Sequence, residues 1–183
     1  VIIDETSNLK DAAVKIAASK TFDNATSCSS ENSLIIIDEI YDAFIKELSL
    51  VGCVTLEKSL QKKITDRLWK KGQLNRDAVA QDAKKLIVAL GLESNVPEDT
   101  KIIGIETDGI GEGYPLSGEK LSRVISIYRA KDFSDSIIKA EKMLKHYGAG
   151  HSIGIHTKVQ LRANELAMRL PTCRVIVNQA HCF

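Results

Sequence analysis

Apolar residues fall along this chain in two rhythms. Leu9, Ala12, Ala13, Ile16 and Ala17 recur every three or four positions, which predicts an amphipathic helix over about 8–20. The run Leu34-Ile35-Ile36-Ile37 is short and β-branched, the pattern of a buried strand. Tyr41, Phe44, Ile45 and Leu48 return to helical spacing, and Val51 to Thr55 offers a further strand. Charged helical stretches follow over about 56–71 and 77–90, the second stopped by Gly91 with Pro97 beyond it. Lys101 to Ile105 and Val124 to Tyr128 predict strands, separated by a Gly-rich loop over 107–118 that contains Pro115. Phe133, Ile137, Ala140 and Leu144 mark a helix, and Ile153 to His156 a strand. Val159, Ala163, Leu166, Ala167 and Leu170 mark another helix, and Arg174 to Asn178 the last strand. Strands alternating with helices of this length predict an α/β domain whose largely parallel sheet is covered on both faces, three αβα layers.

Composition adds bounds. At 183 residues the chain is one domain or two small ones, and 44% apolar with 27% charged residues excludes disorder throughout. The formal net charge of +1 gives no electrostatic footprint for non-specific nucleic-acid binding. No apolar run approaches the roughly 18 residues of a membrane helix, and no secretory signal opens the sequence. Val1 to Ile3 and Arg174 to Phe183 read as ends lying inside a larger protein. Cys28, Cys53, Cys173 and Cys182 form no C-x-x-C pair, so neither a zinc site nor any other metal is expected. Free thiols fit a reducing compartment, hence a cytoplasmic location. Cys53 and Cys173 read as small buried hydrophobes; Cys182 lies too near the end to be placed.

Cys28 differs from these by its setting. It sits in Phe22-Asp-Asn-Ala-Thr-Ser-Cys-Ser-Ser-Glu-Asn32, almost wholly polar, between a helix and a buried strand. A reactive thiol needs solvent access and donors that favour thiolate. Composition leaves a nucleophile and an inert loop thiol equally open. Asn24 and the backbone N–H groups after Cys28 are candidate oxyanion donors, although an asparagine here is more commonly a turn residue. His151, after Gly148-Ala149-Gly150, reads on its own as a loop histidine; His146 reads as a surface residue and His156 as a strand residue. Gly109, Gly111 and Gly113 lack the spacing of a phosphate cradle. Lys62, Lys63, Arg67, Lys70 and Lys71 cluster on the helix predicted over 56–71; a solvated face is the plainer reading, contact with a ligand's phosphates the other. Asp23 and Glu31 are the carboxylates beside Cys28, and both read as helix or turn partners, not as a base.

Ser19-Lys-Thr-Phe-Asp-Asn24, four residues, then Ser29-Ser-Glu31 resembles the cysteine segment of the aldehyde dehydrogenase superfamily, in its CoA-acylating branch. Glu119-Lys-Leu-Ser122 followed by Ile125-Ser-Ile-Tyr-Arg-Ala-Lys-Asp132 is similar to the family's second signature, and Gly148-Ala-Gly-His-Ser152 to the glycine–histidine segment of that branch. Lys71 to Asn75 and Arg174 to Asn178 stand in family order. The resemblance covers nearly the whole chain. It implies Cys28 as nucleophile, Glu119 as the carboxylate that holds the ribose beside the nicotinamide, and His151 at the active site. It implies NAD or NADP, coenzyme A as co-substrate, a small aldehyde such as acetaldehyde or sulfoacetaldehyde, and a homo-oligomer in the full-length protein. Residues 1–183 then correspond to the cysteine-bearing catalytic domain, without the nucleotide-binding domain that precedes it in the family. Arg123 departs from the pattern, which often has proline there. A non-catalytic assembly module of the same fold is the reading from another class, and thiol reactivity at Cys28 separates the two.

Overall fold

The computed structural model describes all 183 residues. In chain order the main elements are β1 (Ile2–Ile3), α1 (Leu9–Thr21), β2 (Ser33–Ile37), α2 (Tyr41–Leu50), β3 (Cys53–Leu56), α3 (Gln61–Leu68), β4 (Trp69–Lys70) and β5 (Gln73–Leu74). There follow α4 (Ala83–Leu90), β6 (Ile102–Glu106), β7 (Val124–Ala130), α5 (Phe133–His146), β8 (Ser152–His156), α6 (Gln160–Arg169) and β9 (Arg174–Val177). Seven strands form one sheet in the order β3-β6-β7-β2-β1-β8-β9, and every pairing in it is parallel.

Parallel strands covered on both faces bury residues of either parity, and β2 does so at all five positions. Its Leu34 and Ile36 join Ala13 and Ile16 of α1 and Phe44 of α2 in one core. Its Ile35 points the other way, toward Ile137 and Ala140 of α5 and Leu166 of α6. Val124 of β7 lies on that second face and meets Ile64, Leu68 and Leu86 of α3 and α4. The molecule is therefore three layers, with α1 and α2 on one face of the sheet and α3 to α6 on the other. No helix is long and apolar enough to cross a membrane.

Three sequence expectations need correction. The helix predicted to about 71 stops at Leu68, because the chain reverses through Lys71 and Gly72, at φ +54° and +76°, into the β4–β5 hairpin. The basic cluster is thus divided: Lys62, Lys63 and Arg67 are on α3, while Lys70 and Lys71 are in the hairpin. The helix predicted from 77 begins only at Ala83, where the Asp82 side chain accepts the Lys85 N–H at 3.0 Å. Cys173, expected inside, is exposed, because it precedes β9 at the open edge of the sheet. Cys53 is 1% exposed, as expected.

Candidate active site

The segments bearing Cys28, Glu119 and His151 each lead into a parallel strand: β2, β7 and β8 respectively. Parallel strands all start at the same end of the sheet, so residues far apart in sequence meet there. Cys28, Glu119 and His151 line one cavity of about 340 Å³. Asn24 is not among its walls.

The cysteine turn is built under strain. After α1 the chain passes through Asp23, Asn24 and Ala25, three non-glycine residues at φ +44°, +51° and +60°. Each such residue costs on the order of 1–3 kcal/mol unless its surroundings hold it. Arg123 does the holding: its Nη2 donates to the Thr21 carbonyl at 3.3 Å and to Asn24 Oδ1 at 2.8 Å. The residue that departs from the family pattern therefore clamps this turn and occupies the Asn24 carbonyl. The backbone donors after Cys28 are engaged as well. Ser29 N–H donates to Ser27 Oγ at 3.3 Å and Ser30 N–H to the Ser27 carbonyl at 2.9 Å. Cys28 itself is exposed. Exposure in a polar turn is what alkylation and acyl transfer require of a nucleophile.

Asn32 joins the cysteine turn to the glutamate segment. Its Nδ2 donates to the Ser30 carbonyl at 3.3 Å and its Oδ1 accepts the Lys120 N–H at 3.0 Å. Lys120 is wholly buried, and its Nζ donates to the carbonyls of Leu116 and Gly118 at 2.8 Å each. Burial holds that amine well below the usual lysine range, with Lys20 nearby pushing the same way. The neighbouring Glu119 is exposed and makes no ion pair, so its carboxylate is free to accept hydroxyl donors.

His151 is half-buried, and its Nδ1 pairs with Ser152 Oγ at 3.1 Å, which leaves Nε2 for the cavity. Its turn is stapled from the next segment: Cys173 N–H donates to the His151 carbonyl at 2.8 Å, and Gly150 N–H to the Pro171 carbonyl at 2.7 Å. Arg174 Nη2 reaches Ser29 Oγ at 3.4 Å and ties that segment to the cysteine turn.

Of the carboxylates beside Cys28, Glu31 lines the cavity and Asp23 does not. Glu31 is 3% exposed, and burial raises its pKa, with nearby backbone N–H groups, Ser19 and Lys20 opposing. Burial lowers the Lys20 amine to about 8, with Glu31 opposing. Residue types alone did not point to His181, which also lines the cavity. The available signal was Gly154, a glycine between two isoleucines in a strand, which marks a close approach.

No family model matches the chain. It is 42% identical over 182 residues to an acylating sulfoacetaldehyde dehydrogenase of Cupriavidus necator, covering 100% of this chain and 37% of that protein. It is 36% identical over 181 residues to the bifunctional aldehyde-alcohol dehydrogenase of Escherichia coli, covering 97% of this chain and 20% of that one. Among solved structures, an acetylating aldehyde dehydrogenase from Geobacillus thermoglucosidasius superposes with a TM-score of 0.93 at 30% identity, over 100% of this chain and 40% of its own. The chain thus spans well under half the length of the relatives it matches.

Proposed function

The chain is homologous along its whole length to acylating aldehyde dehydrogenases, and from that premise we propose that residues 1–183 form the cysteine-bearing catalytic domain of an enzyme that oxidises a small aldehyde to its acyl-CoA. The observation that carries the reading is the meeting of Cys28, Glu119 and His151 on one cavity.

The chemistry follows from these groups. Cys28 Sγ, as thiolate, bonds to the aldehyde carbon, and the carbonyl oxygen becomes an alkoxide. Loss of hydride from that carbon leaves a thioester on Cys28. Attack by an incoming thiol at the acyl carbon then expels the Cys28 thiolate, with His151 Nε2 taking the thiol proton. A bound NAD or NADP supplies the hydride acceptor, and coenzyme A the thiol. Glu119 fits the dinucleotide, since an exposed carboxylate without a partner suits the two hydroxyls of a ribose. Of the carboxylates beside the cysteine, Asp23 lies off the cavity, and Glu31 accepts the His181 N–H through Oε1 as a structural partner of the turn, so the proposal assigns a hydrolytic base to neither. Asn24 lies off the cavity with its side-chain carbonyl held by Arg123, so the proposal assigns it no oxyanion role.

Sulfoacetaldehyde is the alternative aldehyde. The Cupriavidus necator relative and the serine-rich cavity wall of Ser29, Ser30, Ser33, Ser117 and Ser152 favour it. Four free cysteines suit the cytoplasm, and self-association belongs to the same proposal. Mass spectrometry of products from the full-length enzyme, with and without CoA, tests the reading. Acyl-CoA formed only with CoA is expected. Free acid formed at the same rate without CoA would put the protein among hydrolytic enzymes, and no turnover with an unreactive Cys28 would make it an assembly module.

A further inference from the structure

After β9 the chain does not leave the sheet. Asn178 caps β8 and β9, its Oδ1 accepting the Thr157 N–H at 2.9 Å and its Nδ2 donating to the Thr157 carbonyl at 2.8 Å. Residues 179–183 then turn back under the cysteine segment. Cys182 N–H donates to Ser19 Oγ at 3.1 Å, ahead of the turn, and His181 N–H reaches Glu31 Oε1 at 3.4 Å, behind it. The Phe183 ring meets Phe22 edge-on, with centroids 5.1 Å apart. The returning strip therefore grips both sides of the turn that carries Cys28.

His181 is the centre of this strip. It is 8% exposed and shares the cavity with Cys28. Its ring lies where a side chain on Gly154 would be: a Cβ there would sit 1.9 Å from Nε2, 2.8 Å from Cε1 and 3.0 Å from Cδ2. Nε2 has no hydrogen-bond partner, and the same is true of Ser30 Oγ, Glu31 Oε2 and Ser33 Oγ in the adjoining wall. A buried polar atom without a partner is a cost that ordinary cores avoid. A leucine or methionine would fill the space over Gly154 without it.

We propose that His181 is a positioning residue for Cys28: its imidazole, seated in the space that Gly154 leaves, anchors the strip whose backbone holds Glu31 and Ser19 on either side of the cysteine turn. The inference rests on the proposed role of Cys28 for its kinetic consequence, but not for its structural one.

The test has two arms on the full-length enzyme. In the kinetic arm, His181→Ala lowers kcat for acyl-CoA formation by about tenfold or more and leaves KM for aldehyde within about threefold, because misplacing a nucleophile by an ångström costs rate before it costs binding. His181→Asn keeps part of the side-chain volume over Gly154 and recovers part of kcat. Gly154→Ala displaces the ring and lowers kcat on its own, yet adds nothing in the His181→Ala background, where the new methyl has room. In the structural arm, hydrogen exchange at the Ser29 and Ser30 amides speeds up about tenfold or more in His181→Ala, while amides of α5 are unchanged. Unchanged exchange at those amides, or kcat losses from the two substitutions that multiply, overturns the proposal. If wild-type enzyme makes no acyl-CoA, the functional reading fails alone and the exchange arm still decides the role of His181.

Discussion

At the scale of single residues, three thiols of one chain have different fates because their surroundings differ. Cys53 is buried under α1 and α2, and burial pushes its thiol up to about 12. Cys28 and Cys173 are exposed. Iodoacetamide labelling of the native protein near pH 8, mapped by peptide, should therefore modify Cys28 and Cys173 at least about 100-fold faster than Cys53. Equal labelling of Cys53 would mean that the core around it opens. Cys28→Ala in the full-length enzyme should lower acyl-CoA formation by more than about 10³-fold, since no other group can carry the acyl chain. Glu119→Ala should slow hydride transfer while Cys28 alkylates at its normal rate, because the carboxylate sits on the same cavity but does not hold the cysteine turn. Normal hydride transfer in that variant would remove Glu119 from the site.

Between elements, the site depends on a few side chains that bridge segments before their strands begin. Asn32 is the clearest, with one hydrogen bond to the cysteine turn and one to Lys120. Asn32→Ala leaves the Lys120 N–H without its acceptor and should lower stability by about 1–3 kcal/mol in urea unfolding. It should also weaken the coupling between Cys28 and Glu119, read as a fall in kcat at unchanged Cys28 alkylation. A loss of stability below about 0.5 kcal/mol would show that the two segments are held by the sheet alone. Arg123 acts likewise on the three left-handed residues before the cysteine.

For the molecule as a whole, buried histidines set its response to acid. Burial lowers His156 to about 4 and His181 to about 3. An unfolded chain has histidines near 6.5. The folded state keeps both rings neutral where the unfolded state takes up protons, so their contribution to stability is complete above about 6.5 and is lost as pH falls from there toward 4 and 3. Glu31, raised by burial, opposes this in part, since it favours the folded state as pH falls. Stability should drop progressively below about pH 6.5, and His156→Gln should flatten that drop. A stability curve flat between pH 6.5 and 4 in the wild type would mean that both rings are open to solvent.

The α/β order and the identity of most elements were legible in the sequence by itself, and the polar setting of Cys28 marked it as a candidate. Periodicity reports which face of an element is buried, and a polar turn around a lone cysteine reports its access. The resemblance to a known family supplied the roles of Glu119 and His151, which periodicity could not. Other features were decided by tertiary structure. The end of α3 at Leu68 was set by a left-handed reversal at Lys71, a conformation that lysine composition does not announce. The exposure of Cys173 followed from β9 lying at the sheet edge, which depends on strand order. The Asn24 side chain is held by Arg123, 99 positions away in sequence. His181 reached the cavity because the chain folds back after β9 onto a glycine in β8. Local pattern fixes which residues are buried and which are free; contacts between distant segments, formed only when the sheet assembles, decide which of them meet.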